Sequence, residues 1–222
     1  MKLKVLFYAN KPDAGIKPLL ASLVSKGYDY SFIGHNEKWY GFGTKLNAIN
    51  SYLKNYIDSS YTHIMVLDAY DLILIRGNTV ICKLYTEYFG EDGIVFSAET
   101  NCYPDLDIDS NYPLHTKDYI FRYLNAGSWI APIDKAIQIT NKIKPNINDQ
   151  RYFTNIFCNT DEIKLDYTCI LFQTLYNIDI QKQKIYSIVN NKFKNIYYNT
   201  DPCVLHGNGK YNMEYLIKNI LT

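Results

Sequence analysis

His63-Ile64-Met65-Val66-Leu67-Asp68-Ala69-Tyr70-Asp71 is the stretch that decides the fold. An apolar run ends abruptly in two carboxylates, with a tyrosine between them. The run reads as a buried strand of an α/β sheet. Residues i and i+3 of a straight strand point to opposite faces. Asp68 and Asp71 therefore share a ligand only if the chain turns after Leu67. Oxygen donors delivered together to the end of a strand suit a hard divalent cation, Mg²⁺ or Mn²⁺. Open α/β sheets bind ligands at that edge. Surface turns also produce Asp-x-x-Asp, with one carboxylate capping the chain, so the strand before the pair is what gives it meaning.

Working outward, strands and helices alternate. Residues 4–9 form an apolar strand, and residues 12–26 carry a helical period that stops at Gly27. A strand at 30–34, a helix at 43–57 with Leu46, Ile49, Leu53 and Ile57 on one side, and the strand at 63–67 follow. A helix at 79–89 and a strand at 93–97 complete a β-α-β-α-β order, which predicts a parallel, doubly wound half. Past residue 100 the pattern loosens. A polar loop at 101–117 holds Tyr103-Pro104 and Tyr112-Pro113. A strand at 129–131 and helices at 133–143 and 149–157 come next. Short strands are expected near 163–165, 170–172, 184–189, 194–198 and 203–205, then a closing helix at 212–221. This is the layout of an α/β, GT-A-like fold. A Rossmann-type nucleotide-binding half with a mixed central sheet is joined to an acceptor-side half, as a single domain over 1–222.

Composition narrows the function. The 222 residues carry 23 basic and 22 acidic side chains, a formal charge of +1, and no run of Lys or Arg that would favour nucleic acid. No apolar stretch is long enough to span a membrane. The amino terminus, Met1-Lys2-Leu3-Lys4-Val5-Leu6-Phe7-Tyr8, reads as a strand rather than a signal peptide, and the expected location is cytoplasmic. Cys82, Cys102, Cys158, Cys169 and Cys203 are scattered and odd in number, which predicts free thiols.

Four further segments carry candidate chemistry. In Val204-Leu205-His206-Gly207-Asn208-Gly209-Lys210 an apolar strand ends in a histidine inside a glycine-rich turn. Gly207 and Gly209 let backbone N–H groups approach phosphate oxygens. His206 offers a third metal ligand, and imidazole among oxygen donors favours Mn²⁺ over Mg²⁺. The bland alternative is a half-buried histidine over a turn. Lys210 either neutralises a diphosphate or is solvated. In Trp39-Tyr40-Gly41-Phe42-Gly43-Thr44-Lys45 two glycines precede a helix whose amino terminus favours anions, and Lys45 adds charge there. Trp39 covers a sugar or base, or anchors packing. Leu124-Asn125-Ala126-Gly127-Ser128-Trp129 places small residues ahead of a strand. Asn148-Asp149-Gln150 puts a carboxylate where a helix cap is common.

Together these segments resemble the glycosyltransferase domain of the procollagen lysyl hydroxylase/glucosyltransferase family, including its giant-virus members. The resemblance runs in order along nearly the whole chain. It rests on Glu37-Lys38-Trp39, Gly43-Thr44-Lys45, Asp68-Ala69-Tyr70-Asp71, Phe96-Ser97-Ala98-Glu99, Cys102-Tyr103-Pro104, Tyr112-Pro113, Leu124-Asn125-Ala126-Gly127, Asp149-Gln150, Leu165-Asp166, Phe172-Gln173 and His206-Gly207-Asn208-Gly209.

The resemblance implies that Asp68, Asp71 and His206 hold Mn²⁺, that Tyr70 stacks on the uracil of a UDP-sugar, that Lys45 contacts the diphosphate, and that Trp39 lies on a loop over the donor. Asp149, Asn208 and Asn125 would surround the transferred sugar and acceptor, as catalytic candidates. The Asn-Ala-Gly, Asp-Gln and His-Gly-Asn-Gly-Lys succession also looks like glycogenin-type transferases, where a lysine after the glycines binds phosphate. That makes Lys210 a donor-site candidate. Departures from the family fall on the acceptor side: only Asp149 remains of an acidic run, and Tyr103 stands where a tryptophan is usual. The implied activity is transfer of glucose or galactose from a UDP-hexose to hydroxylysine or galactosyl-hydroxylysine of a collagen-like protein. The alternatives are a non-collagen acceptor, a silent UDP-sugar-binding module and a structural virion protein. The chain number stays open, a homodimer included.

Overall fold

A computed structural model describes residues 1–178 and 185–221. The strands are β1 Leu3–Tyr8, β2 Tyr30–Ile33, β3 His63–Leu67, β4 Leu72–Leu74, β5 Ile94–Glu99, β6 Tyr123–Pro132, β7 Ile163–Asp166, β8 Phe172–Thr174, β9 Tyr186–Val189, β10 Lys192–Asn195 and β11 Val204–His206. The helices are α1 Lys17–Ser25, α2 Phe42–Asn55, α3 Asn78–Phe89, α4 Ile133–Ile139, α5 Asp149–Asn159 and α6 Glu214–Ile220. Residue 184, the first of the strand expected at 184–189, lies outside the described residues.

The main sheet has the order β2-β1-β3-β6-β5-β7. β3 lies at its centre, parallel to β1 and antiparallel to β6, and all five of its residues are buried. Alternation divides them. Ile64 and Val66 join the core with Leu46, Ile49 and Leu53 of α2 and Phe153 of α5. Met65 and Leu67 join the opposite core with Leu19 and Leu23 of α1 and Ile81 and Tyr85 of α3. Helices on both faces explain why β3 is apolar without a break.

β5 runs in the direction of β1–β3, as the β-α-β-α-β order predicts, but it does not pair with β3. β6 inserts between β3 and β5 and runs antiparallel to both, so the sheet is mixed. β6 spans Tyr123–Pro132 rather than 129–131, so Asn125, Ala126 and Gly127 lie within a strand, not before one. Its pairing with β5 shifts register between Phe96 and Ser97, whose partners are Trp129 and Asn125. The extra residues bulge at Gly127, and such bulges re-aim a strand beside a site. The loop expected at 101–117 contains two 3-10 turns, Leu106–Asn111 and Leu114–Asp118.

A second, three-stranded sheet, β4-β11-β8, was legible only in part. β4 is too short to show a period, and the strand expected near 170–172 begins at Phe172. β11 is antiparallel to β4, with His206 opposite Leu72, and parallel to β8. The turn into β8 is held by Asp166, whose buried carboxylate accepts the backbone N–H groups of Ile170, Leu171 and Phe172 at 2.9, 2.7 and 2.8 Å. Burial pushes its carboxyl up to about 6, against the lowering effect of those three donors. Asp166→Ala strands three N–H groups in the interior. It should destabilise the fold by about 3 kcal/mol or more, read as a lower urea midpoint. A midpoint unchanged from wild type would show that the turn holds itself.

The cysteines are free thiols, with Cys102, Cys169 and Cys203 buried. Among the described residues no helix is long and apolar enough to cross a membrane.

Candidate functional site

The chain does turn after Leu67. Asp68 donates its backbone N–H to the Gly127 carbonyl at 2.8 Å, and the Asp71 carbonyl accepts the Gly207 N–H at 2.7 Å just before β4. β11 lays His206 alongside, so Asp68, Asp71 and His206 converge, with one ligand atom from each lying within 4.8 Å of the others. His206 Nε2 is 3.3 Å from Asp71 Oδ2, and its buried Nδ1 has no hydrogen-bond partner. Gly127 completes the cradle, because a Cβ there would lie 2.2 Å from His206 Cε1 and 2.8 Å from Asp68 Oδ2.

Lys45, in the first turn of α2, is buried beside this group. Its ammonium is 2.9 Å from Asp68 Oδ1 and 2.6 Å from Asp149 Oδ2. Burial favours the neutral amine, but the carboxylates of Asp149 and Asp68 outweigh it and hold the Lys45 pKa above its ordinary value. For Asp68, burial and Asp71 raise the carboxyl pKa while Lys45 and His206 oppose them, and the net direction is up. Burial opposes the charged form of His206 too, yet Asp71 raises its pKa overall.

Glu99, the last residue of β5, is the hub of a buried hydrogen-bond network. Its Oε1 accepts Asn125 Nδ2 at 2.9 Å and Gln150 Nε2 at 2.8 Å, and its Oε2 accepts Asn208 Nδ2 at 3.1 Å. Burial raises the pKa of its carboxyl against these donors. Asn208 Oδ1 in turn accepts the N–H groups of Leu175 and Tyr176 at 3.0 and 2.9 Å. Asn125 Oδ1 accepts the Gly127 N–H at 3.0 Å. Both amides are locked in place by the protein.

Two cavities meet at the Asp68–Asp71 corner. One, about 580 Å³, is lined by Tyr8, Asn10, Trp39, Lys45, Tyr70 and neighbours. Trp39 packs on Tyr8 at 5.6 Å and edge-on to Phe42 at 5.5 Å. The other, about 660 Å³, is lined by Glu99, Tyr103, Asn125, Asp149, His206, Asn208 and neighbours, Lys210 among them. A third cavity of about 580 Å³, along β7 and the ends of α3 and α5, includes none of these residues.

A sequence profile of the PLOD GT domain matches residues 1–220. This chain belongs to that glycosyltransferase family. Uncharacterized protein R699 of Acanthamoeba polyphaga mimivirus is 34% identical over 191 residues, covering 81% of this chain and 40% of that protein. The multifunctional procollagen lysine hydroxylase and glycosyltransferase of Caenorhabditis elegans is 29% identical over 234 residues, 97% of this chain and 32% of the relative. The chain thus spans about a third of the length of such relatives. A solved glycosyltransferase involved in glycosylation of the major capsid of PBCV-1 matches with a TM-score of 0.53 at 10% identity, over 99% of this chain and 98% of that one, which shows a shared α/β, GT-A-like fold.

Within this glycosyltransferase domain several sequence readings change. Gly41 and Gly43 admit the 144–146 backbone, since a Cβ on Gly43 would lie 2.1 Å from the Lys144 carbonyl oxygen. They bring α2 close to that segment. Asp149 is not the cap of α5. The Asn148 side chain caps it by accepting the Arg151 N–H at 2.8 Å, which leaves Asp149 Oδ2 for Lys45. Gly207 and Gly209 make room for Met213 and the Tyr176 ring. The sequence assigns Glu99 no role beyond a family motif, although an apolar strand ending in an acid repeats the Leu67–Asp68 pattern. Gly127 is marked only as one of the small residues of the 124–129 segment, and its place against His206 is a distance that no local signal gives.

Proposed function

We propose that this chain is a Mn²⁺-dependent hexosyltransferase. It would move glucose or galactose from a UDP-hexose to hydroxylysine or galactosyl-hydroxylysine of a collagen-like protein. The observation that carries the reading is the convergence of Asp68, Asp71 and His206 where two cavities meet. Two carboxylate oxygens and an imidazole suit Mn²⁺, and the orphaned His206 nitrogen and the glycine cradle fit a bound cation. Such a cation supplies positive charge that stabilises a departing diphosphate.

The chain's own residues do the rest. Tyr70, half-exposed, and Trp39 form aromatic walls for a nucleoside. Lys45 stands beside the metal ligands as the charge partner for a diphosphate, and Lys210 follows the glycine turn as a second one. Gly207 and Gly209 keep the backbone of that turn close. Glu99 fixes Asn125, Gln150 and Asn208 as a rigid floor for sugar and acceptor, and Asp149, beside Gln150 in the same cavity, orients the acceptor hydroxyl.

The test offers UDP-glucose and UDP-galactose with collagen peptides bearing hydroxylysine or galactosyl-hydroxylysine, alongside free sugars and tyrosine peptides. UDP release that requires both Mn²⁺ and a collagen peptide is the expected result. Release confined to non-collagen acceptors would replace the acceptor. Stabilisation by UDP and Mn²⁺ with no turnover on any acceptor would mark a silent binding module.

A further inference from the structure

Lys45 is committed to carboxylates on both sides. It is buried, spans Asp68 and Asp149 at 2.9 and 2.6 Å, and has its ammonium 5.9 Å from the Phe42 ring. Asp68, Asp71, Asp149 and Glu99 gather four carboxyl groups around the two cavities; Asp149 and Glu99 are buried, Asp68 and Asp71 are half-exposed, and the buried cationic groups beside them are Lys45 and His206. Lys45 lines the nucleoside cavity, Asp149 lines the acceptor-side cavity and Asp68 lines both, so the Lys45 ion pairs lie where the two cavities adjoin. A buried carboxylate such as Asp149 needs a counter-charge, and removing the ammonium that joins it to Asp68 leaves it uncompensated.

We propose that Lys45 is the resident cation of the site. In the metal-free chain it holds Asp68 against Asp149. When a divalent cation takes Asp68, Asp71 and His206, the positive charge on Asp68 becomes redundant, and the ammonium is released to the incoming diphosphate. Releasing Lys45 also unpairs Asp149, one of the acidic groups lining the acceptor-side cavity. Donor loading thereby readies the acceptor side, and the Lys45–Asp149 ion pair opens only behind a bound metal–diphosphate pair. Lys45 is in this sense a positioning residue for Asp149 as well as a donor contact. This rests on the metal reading of Asp68, Asp71 and His206 given above.

The signature is a pair of opposite changes in one variant. Lys45→Met should bind Mn²⁺ alone at least about fivefold more tightly than wild type, because the cation no longer displaces an ammonium. With Mn²⁺ saturating, the same variant should bind UDP at least about tenfold more weakly. Free Mn²⁺ measured by electron paramagnetic resonance gives the first value and calorimetry gives the second. Lys210→Met is the control for a general field effect, because Lys210 lines the same region and is exposed. Its Mn²⁺ affinity should change less than that of Lys45→Met. If Lys45→Met is unfolded without metal, Mn²⁺ should restore its melting transition, and Lys45→Met combined with Asp149→Asn should melt higher than Lys45→Met alone. Mn²⁺ affinity in Lys45→Met equal to or weaker than wild type, or equal gains in both lysine variants, would overturn the proposal. So would an unfolded Lys45→Met that Mn²⁺ fails to rescue. Wild-type protein that binds no Mn²⁺ would instead overturn the metal site on which the proposal rests.

Discussion

Asp71→Ala should abolish measurable UDP-sugar turnover while the protein stays folded. The Asp71 side chain is partly exposed; the residue's carbonyl accepts the Gly207 N–H at 2.7 Å and its carboxylate lies 3.3 Å from His206 Nε2. Alanine keeps the backbone hydrogen bond and loses the contact to His206. It also removes one of two neighbouring carboxylates, which relieves repulsion at Asp68. The lost partner of the buried imidazole should cost about 1–3 kcal/mol, partly offset by that relief. The proposed cation site loses one of its three candidate ligand side chains. Deleting a single group that stabilises a developing charge costs about 10²–10³ in rate elsewhere, and a lost ligand also weakens the cation itself. Steady-state UDP release with saturating Mn²⁺ and a thermal melt together check this. Wild-type turnover in Asp71→Ala would rule out the Asp68–Asp71–His206 site.

Gly127→Ala should be the second large loss, and for a steric reason alone. Gly127 is not among the glycines with positive φ, so alanine meets no backbone penalty there. The added Cβ would lie 2.2 Å from His206 Cε1, 2.9 Å from His206 Nδ1 and 2.8 Å from Asp68 Oδ2. His206 is 3% exposed and ends a strand paired on both sides, so it has little space to retreat. Forcing it aside is overpacking, at about 1–3 kcal/mol of stability. Displacing a site group by about 1 Å can cost on the order of 100-fold in rate. A drop of that size in turnover, with a higher Mn²⁺ requirement and a lower melting temperature, is the expected pattern. Unchanged Mn²⁺ dependence would show that the imidazole does not contribute to the cation site.

These variants mark two kinds of legibility. Asp71 could be chosen from the sequence, because its signal is local: an apolar strand, then carboxylates where the chain must leave the sheet. The same holds for β1, β2 and α1–α3, whose periods are set by burial against near neighbours in the chain. His206 was found through its glycine-rich turn, although nothing in that turn says what it faces. Gly127 could be read only as one small residue among several, not as the neighbour of His206. Its β6 bulge exists because β6 pairs with β5 on one side and β3 on the other with different registers. The insertion of β6 into the sheet was missed for a related reason, since strand order depends on which partners bury a strand and not on the order of elements along the chain. Lys45 shows the limit from the other direction. Its position suggested an anion at a helix terminus, whereas its burial between Asp68 and Asp149 makes it first a partner of the protein's own carboxylates.

By itself the sequence determined the alternating α/β half, the carboxylates at the end of β3 and, through its ordered motifs, membership of a glycosyltransferase family. The tertiary structure alone decided that β11 delivers His206 to those carboxylates, that Glu99 gathers Asn125, Gln150 and Asn208, and that Lys45 lies buried between Asp68 and Asp149. The reason is physical. Periodicity and turn chemistry are recorded in neighbouring residues, but a counter-charge or a metal ligand is chosen by distance in space, and residues 68 and 206 become neighbours only when β4 and β11 pair.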